Sequence, residues 1–457
     1  MNRDAINLGS VRIPKLFWTY FFPTLFGMLS LCAVTAADGI FVGRGVGGEA
    51  LAAVNICIPP TMILMGIGLM LGMGASVVSS IHLAQNNIKA ARINITQAMG
   101  VGTLVVLTFL LFSLISPFHT ARLLGSSTTL LPLVYDYMPW IFTCCLFQIW
   151  GAIGLFVIRL DGSPKFAMWC NIIPGILNII LDCVFIFPLG MGIKGAGIAT
   201  CLSCFVGGLM VLAYLVFYAR QLKFIKIKHT LMSLKLTCRN IGYQCKIGFS
   251  AFLGETTMGV FMILGNLVFM KYLGDEGVGA FSIVCYYCPF AFMIGNAIAQ
   301  SAQPIISYNY GRDSMDRVLK TESLAIISAI ICGLLVTTMF VFFPNTLVKL
   351  FISNNWEIHE IAVSGFPIFS VAFVFFIFNL TVIGYFQSIE NAWSSILFAV
   401  LRGIVFLIPS FLILPRFFGV AGIWLALGFS EFLTTLCIII YLTRQMQGPL
   451  TTSMKME

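Results

Sequence analysis

FSLISPFHTARLLGSS, residues 112–127, and VFFPNTLVKLFISN, residues 341–354, are two versions of one passage, with Pro117 and Pro344 in the matching slot. The offset of about 228 residues holds along the chain. Gly66 to Ser80 (GIGLMLGMGASVVSS) has its counterpart in Gly295 to Tyr310 (GNAIAQSAQPIISYNY). Pro139 pairs with Pro367, Pro188 with Pro415, and Gly195-Ala196-Gly197 with Val420-Ala421-Gly422. A chain that repeats itself at this period is built from two copies of one structural unit.

Composition says where those units sit. Of 457 residues, 59% are hydrophobic and 9% charged, and mean hydropathy is +0.98. A water-soluble protein of this size needs far more charge to cover its surface. Apolar runs of roughly 20 residues, enough to cross about 30 Å of hydrocarbon, recur twelve times. The expected fold is an all-α integral membrane protein: twelve transmembrane helices in two pseudo-symmetric six-helix lobes around a central cleft. Residues 1–218 form the amino-terminal lobe and 247–443 the carboxy-terminal lobe. The basic stretch 219–246 (ARQLKFIKIKHTLMSLKLTCRNIGYQCK) joins them as a cytoplasmic linker, and 444–457 reads as a disordered tail.

The net charge of +9 does not indicate a nucleic-acid partner. With the N-terminus inside, segments between alternate spans hold 19 of the 26 Lys and Arg on the cytoplasmic side. That is the positive-inside bias, and it places both termini in the cytoplasm. No cofactor motif is present: there is no GxxxxGK[ST] loop, no HExxH, and no metal spacing among the 14 cysteines. An enzyme or a nucleotide-driven pump is therefore not expected. A channel is disfavoured because the intramembrane carboxylates form no ring.

Most carboxylates fall in loops, but Asp38, Asp182 and Glu255 lie in apolar spans. An ionised carboxylate at such depth is costly and is neutralised by a proton, a cation or a partner. Asn178 and Asp182, four apart, share a helix face. Asp38, late in span 1, and Thr200, opening span 6, reach the same level. Two carboxylates, an amide oxygen and a hydroxyl make an all-oxygen pocket suited to Na⁺. Equally, two close carboxylates can hold a proton between them. In the repeat Asp38 aligns with Asn266 and Asp182 with Pro409, so only one lobe carries the pair. For the substrate path, the second lobe offers polar groups within spans, among them Asn266, Tyr286, Asn296, Gln300 and Gln303. Arg402, inside span 11, needs a partner, for which Glu431 is the candidate.

These residues carry a resemblance. Asp38-GIFVGRGVGGEALAAVNI, Asn178-IILDCVFIFPLGMGIKGAGIAT, LDGSPKF (160–166), Gln303-PIISYNYG and Gly422-IWLALGFSE are similar to motifs of the multidrug and toxic compound extrusion (MATE) transporters, closest in style to the bacterial MepA-type branch. The resemblance runs from about residue 12 to 443. It implies a two-lobe antiporter of the bacterial cytoplasmic membrane, coupling H⁺ or Na⁺ entry to export of organic, often cationic, small molecules. By position Asp38, Asn178, Asp182 and Thr200 match its cation site, and Pro23 matches a helix-bending proline. Glu255 falls about one turn before the family's seventh-helix glutamate and is read as a cavity-lining anion for a cationic substrate. No cofactor beyond the coupling ion is implied, and a monomer is expected. The alternative is a flippase for lipid-linked or other amphipathic substrates, for which Arg402 would have to supply the positive cavity.

Overall fold

A computed structural model of the chain describes residues 7–447 except 47, 125, 127, 129, 228–229 and 352–355. Among the described residues nearly all are helical and none forms a strand. The first repeat comprises α1 (Ile13–Gly45), α2 (Gly48–Ala84), α3 (Ile88–Ile115), the short α4 (Pro117–Leu123), α5 (Leu131–Leu160), α6 (Pro164–Ile186) and α7 (Gly192–Ala213). The second comprises α8 (Leu231–Tyr310), α9 (Met315–Phe342), the short α10 (Pro344–Lys349), α11 (Trp356–Ser370), α12 (Ala372–Ser388), α13 (Ala392–Val400) and α14 (Leu407–Gln447). Pro117 and Pro344 open α4 and α10, where a missing N–H goes unmissed and a fixed φ starts the helix.

The twelve expected spans are present once the breaks are recognised. Nine helices among the described residues are long and apolar enough to cross a bilayer, and α11 with α12, bent by 44°, makes a tenth span. Two of the nine are really pairs. α8 is interrupted at Gly274 (φ 65°), and the run from α13 through α14 at Gly419 (φ 57°). Both glycines adopt a left-handed conformation that a side chain would resist. The part of the expected tail from residue 448 onward lies outside the described residues; α14 runs to Gln447.

The compact units do not follow the two repeats. One unit contains residues 1–256, 288–328 and 381–396; the other contains 257–287, 329–380 and 397–457. The first unit therefore takes in the first repeat together with parts of α8, α9, α12 and α13. Polar side chains and bare backbone make the contact. Ser76 on α2 donates to Gln303 at 3.0 Å, and the Gln244 amide donates to Asn94 on α3 at 2.8 Å. Asn309 and Arg317 both donate to the Leu8 carbonyl, at 3.1 and 3.0 Å. Two glycines let α2 and α8 touch backbone to backbone. A Cβ on Gly74 would run into the Gln244 carbonyl, and one on Gly248 into the Met70 carbonyl. Gly248→Ala should destabilise this packing by about 1–3 kcal/mol, visible as a lower thermal midpoint in detergent. An unchanged midpoint would mean that the helices do not meet this closely.

The expected linker divides in two. From Leu231 onward it is helix, continuous with α8, and packed on α3: Gln97 donates to Thr237 and accepts from Asn240, at 2.8 and 3.1 Å. Before that, residues 219–227 are non-helical; Arg92 and Thr96 of α3 bond to Gln221 and Ile225, and one carboxylate makes most of the anchoring contacts. Asp161, in the turn after α5, accepts from the backbone N–H groups of Arg220, Gln221 and Leu222 at 2.8–3.1 Å and from the Tyr214 hydroxyl at 2.9 Å. Such charge-assisted bonds are stronger than neutral ones. We expect Asp161→Ala to free this stretch, so that trypsin cuts after Arg220, Lys223 or Lys226 in native protein. Equal resistance to trypsin in variant and wild type would show that Asp161 is not the anchor.

The second unit is held by rings. Trp424 is 1% exposed and meets Phe269 edge-on at 4.7 Å, with Phe366 and Phe369 beside it. Gly365 exists because the indole occupies the space of its Cβ. Much of the aromatic content is thus packing.

Candidate functional site

α6 packs between α1 and α7 in the first unit, which brings four expected residues together. Gly175 permits the approach: a Cβ there would meet Val34 of α1 at 2.7 Å. One turn on, Asn178 and Asp182 point to the same side and are buried, Asp182 completely. Asp38 of α1 and Thr200 of α7 are half-buried. The Asn178 amide donates to the Thr200 hydroxyl at 3.4 Å, and that hydroxyl donates to the Ala196 carbonyl at 3.0 Å. Asp38 and Asp182 adjoin each other, and Tyr137 lies close to both. Among the described residues no donor is bonded to Asp38 Oδ1 or to either oxygen of Asp182. Adjacent carboxylates short of donors favour a proton or a cation between them. The donor set is all oxygen, so it fits Na⁺ as readily as H⁺.

The cluster opens onto a cavity of about 450 Å³ that lies wholly in the first unit. Asp38, Asn178 and Thr200 belong to its wall; Arg159, Glu255, Asn296 and Gln300 also line it, with Met28, Met65 and Met293 among the apolar groups. Flexible thioethers give such a wall room to adapt to ligands of different shape. Gln303 is not part of the lining. It is 1% exposed, accepts from Ser76 and donates to Ser307 at 3.1 Å. Asn266 and Tyr286 belong to the second unit, where both are exposed and Tyr286 stacks on Phe351 at 5.1 Å. Pro23 is buried within α1, which continues unbroken past it.

Sequence reading missed two charges. Arg159 follows the fourth apolar run, near 132–157, and counts among the loop charges on the cytoplasmic side. α5 instead continues to Leu160, and Arg159 is 3% exposed, in the cavity wall. Sequence reading gives Glu322 no role; it lies inside α9, is 8% exposed, and among the described residues neither of its oxygens is hydrogen-bonded. At Arg159 the helix runs past the apolar stretch, and a few residues decide whether a charge reaches water.

Arg402 does find Glu431. Its Nε and Nη2 donate to one carboxylate oxygen at 3.0 and 2.8 Å, while the other accepts from the Asn379 amide at 2.7 Å. Thr435 donates to Asn379 at 2.9 Å, and the guanidinium lies 4.4 Å from the centre of the Phe376 ring. The group stands in a π-helical turn, Leu401–Val405, which widens the backbone where the side chain must fit. Arg402, the cation named for the flippase alternative, is thus already neutralised by Glu431.

Comparison with known proteins matches this architecture. The MatE family profile matches residues 23–184 and again 251–412, an offset of 228 residues that equals the internal repeat. The multidrug export protein MepA of Staphylococcus saprophyticus is 24% identical over 428 residues, covering 92% of either chain. A crystal structure of MATE in complex with MaL6 superposes with a TM-score of 0.89 at 20% identity, covering 97% of this chain and 98% of that one. An outward-facing multidrug resistance MATE family transporter of the MOP superfamily gives 0.88 at 21% identity, with coverage of 97% and 98%. The chain belongs to the MatE family, with that family's helical transmembrane fold in two repeated halves.

Proposed function

We propose that this protein is a secondary active antiporter that exports organic, chiefly cationic, drugs or metabolites in exchange for H⁺ or Na⁺. The observation that carries the reading is the adjacent Asp38/Asp182 pair, with three carboxylate oxygens buried and unbonded among the described residues, beside a cavity large enough for a small organic molecule. Binding of an ion between the carboxylates neutralises them and favours one conformation; substrate in the cavity favours the other, so the two compete across the transport cycle. Glu255, Asn296 and Gln300 are the proposed substrate contacts, and Asn178 and Thr200 complete the ion site. The relatives named as multidrug exporters support the substrate class. The charge bias of the loops supports both termini in the cytoplasm, and the bacterial relatives support the inner membrane of a bacterial cell.

The test is export of a fluorescent organic cation from proteoliposomes energised separately by a pH gradient and by a Na⁺ gradient. Movement driven by one gradient alone names the ion. Movement under neither would remove the antiport reading.

A further inference from the structure

Glu322 is a buried acid that the Asp38/Asp182 site does not use. It lies about 10 Å along α9 from the helix start, and both its oxygens are shut off from water without a hydrogen bond among the described residues. No cation answers it. Arg317, earlier in the helix, is engaged by Asn309 and by the Leu8 and Val11 carbonyls. Lys320 pairs with Asp316 at the surface, and Arg12 and Lys15, where α1 begins, are exposed. The repeat shows that packing alone does not call for an acid at this place. Aligned on Pro117 and Pro344, Glu322 stands where the first repeat has Ile95, which is 0% exposed. α9 packs on α12, so closely at Gly333 that a Cβ would meet the Val374 backbone at 2.7 Å. From α12, Tyr385 comes within electrostatic reach of Glu322. Tyr385 too replaces a buried aliphatic residue, Val157, when Pro139 is aligned with Pro367. Further titratable groups lead away from the pair. Tyr310, which ends α8, is near both Tyr385 and Glu390, and Glu390 faces Tyr243. Glu390 and Tyr243 line a second cavity, of about 410 Å³, together with His82, Arg239 and Asn240 beside the linker helix. Glu322, Tyr385, Tyr310 and this cavity all belong to the first unit.

We infer that Glu322 is a second proton-binding site, separate from the Asp38/Asp182 pair, which exchanges its proton with the cavity beside the linker helix by way of Tyr385 and Tyr310. A proton is the ligand this slot fits. A metal ion would need further ligands, and among the described residues no cluster of three His, Cys, Asp or Glu side chains exists. The neutral acid can stay where the first repeat keeps an isoleucine, and it holds α9 against α12. The carboxylate demands water and loosens that packing, so pH on the linker side sets how readily the two helices part. The site stands whichever ion the Asp38/Asp182 pair carries.

The test is thermal unfolding of the detergent-purified full chain between about pH 5 and about pH 8. A folded chain that keeps a proton which its unfolded form releases loses stability as pH rises through this range. Glu322→Gln is neutral throughout and escapes that loss. The wild-type midpoint should therefore match that of the variant at the acid end and fall below it by about 2–4 °C at the alkaline end. Glu322→Ile, which installs the first repeat's residue, should follow the same course, so the outcome does not depend on one variant folding. Infrared difference spectra across the same pH step should show a protonated-carboxyl band that Glu322→Gln removes and that Asp38→Asn and Asp182→Asn leave in place. After a pH jump, Tyr385→Phe should slow the growth of that band without changing its final size. Wild-type and Glu322→Gln midpoints that run parallel over the whole range, with no band lost in the variant, would overturn the inference. A band that grows equally fast with Tyr385→Phe would overturn the route.

Discussion

Asp38→Asn and Asp182→Asn should each reduce gradient-driven export to the passive leak, a loss of at least about a hundredfold, without unfolding the protein. An ion moves a two-state equilibrium only through its difference in affinity between the states. Turning a 1:99 population into 99:1 takes about a 10⁴-fold difference. An amide cannot take up a proton and offers a cation one oxygen where a carboxylate offers two, so either substitution removes that difference. Stability should move the other way. Asp182 is fully buried with no donor to either oxygen, and an amide at one position supplies a donor to the carboxylate left at the other. The thermal midpoint of each variant should therefore equal or exceed that of the wild type, and dye binding should persist. Export at the wild-type rate by both variants would end the carboxylate-pair mechanism.

The largest loss of stability should come from Glu431→Gln. It leaves the Arg402 guanidinium buried without a counterion, and breaking a buried pair from one side costs about 3–5 kcal/mol. Arg402→Met should be as harmful, since it strands the carboxylate. Replacing both partners together, Arg402→Met with Glu431→Leu, should restore much of the loss, because removing both charges removes the unmet desolvation. Thermal unfolding in detergent separates the cases. A double variant as unstable as the worse single would show that the pair's shape matters rather than its charge.

The fold was legible because its signals are long and redundant. Apolar runs, loop charge and a repeat marked by Pro117 and Pro344 all give the same twelve spans, and the family profile finds the same repeat independently. The four residues of the proposed ion site were legible because carboxylates in apolar spans are rare, and because helical spacing sets Asn178 beside Asp182. What stayed hidden depended on rotation and on exact helix ends. Gln303, Asn266 and Tyr286 are polar residues within spans, yet none lines the cavity, because composition does not say which way a helix is turned. Arg159 and Glu322 sit within a turn or two of an apolar boundary, where sequence cannot separate a charge that reaches water from one that does not.

The tight break at Gly419 has a consequence for synthesis at the ribosome. An arginine or a glutamate near the centre of a lone helix opposes its release into lipid by a few kcal/mol. Arg402 and Glu431 lie on neighbouring spans that this glycine folds against each other, and each is the other's remedy. A nascent chain bearing only the first span would hold an arginine that lipid rejects; a few dozen residues later it carries the answer. The insertion machinery must then keep the first span until the second emerges, and the hairpin is the smallest piece of this region that the bilayer accepts.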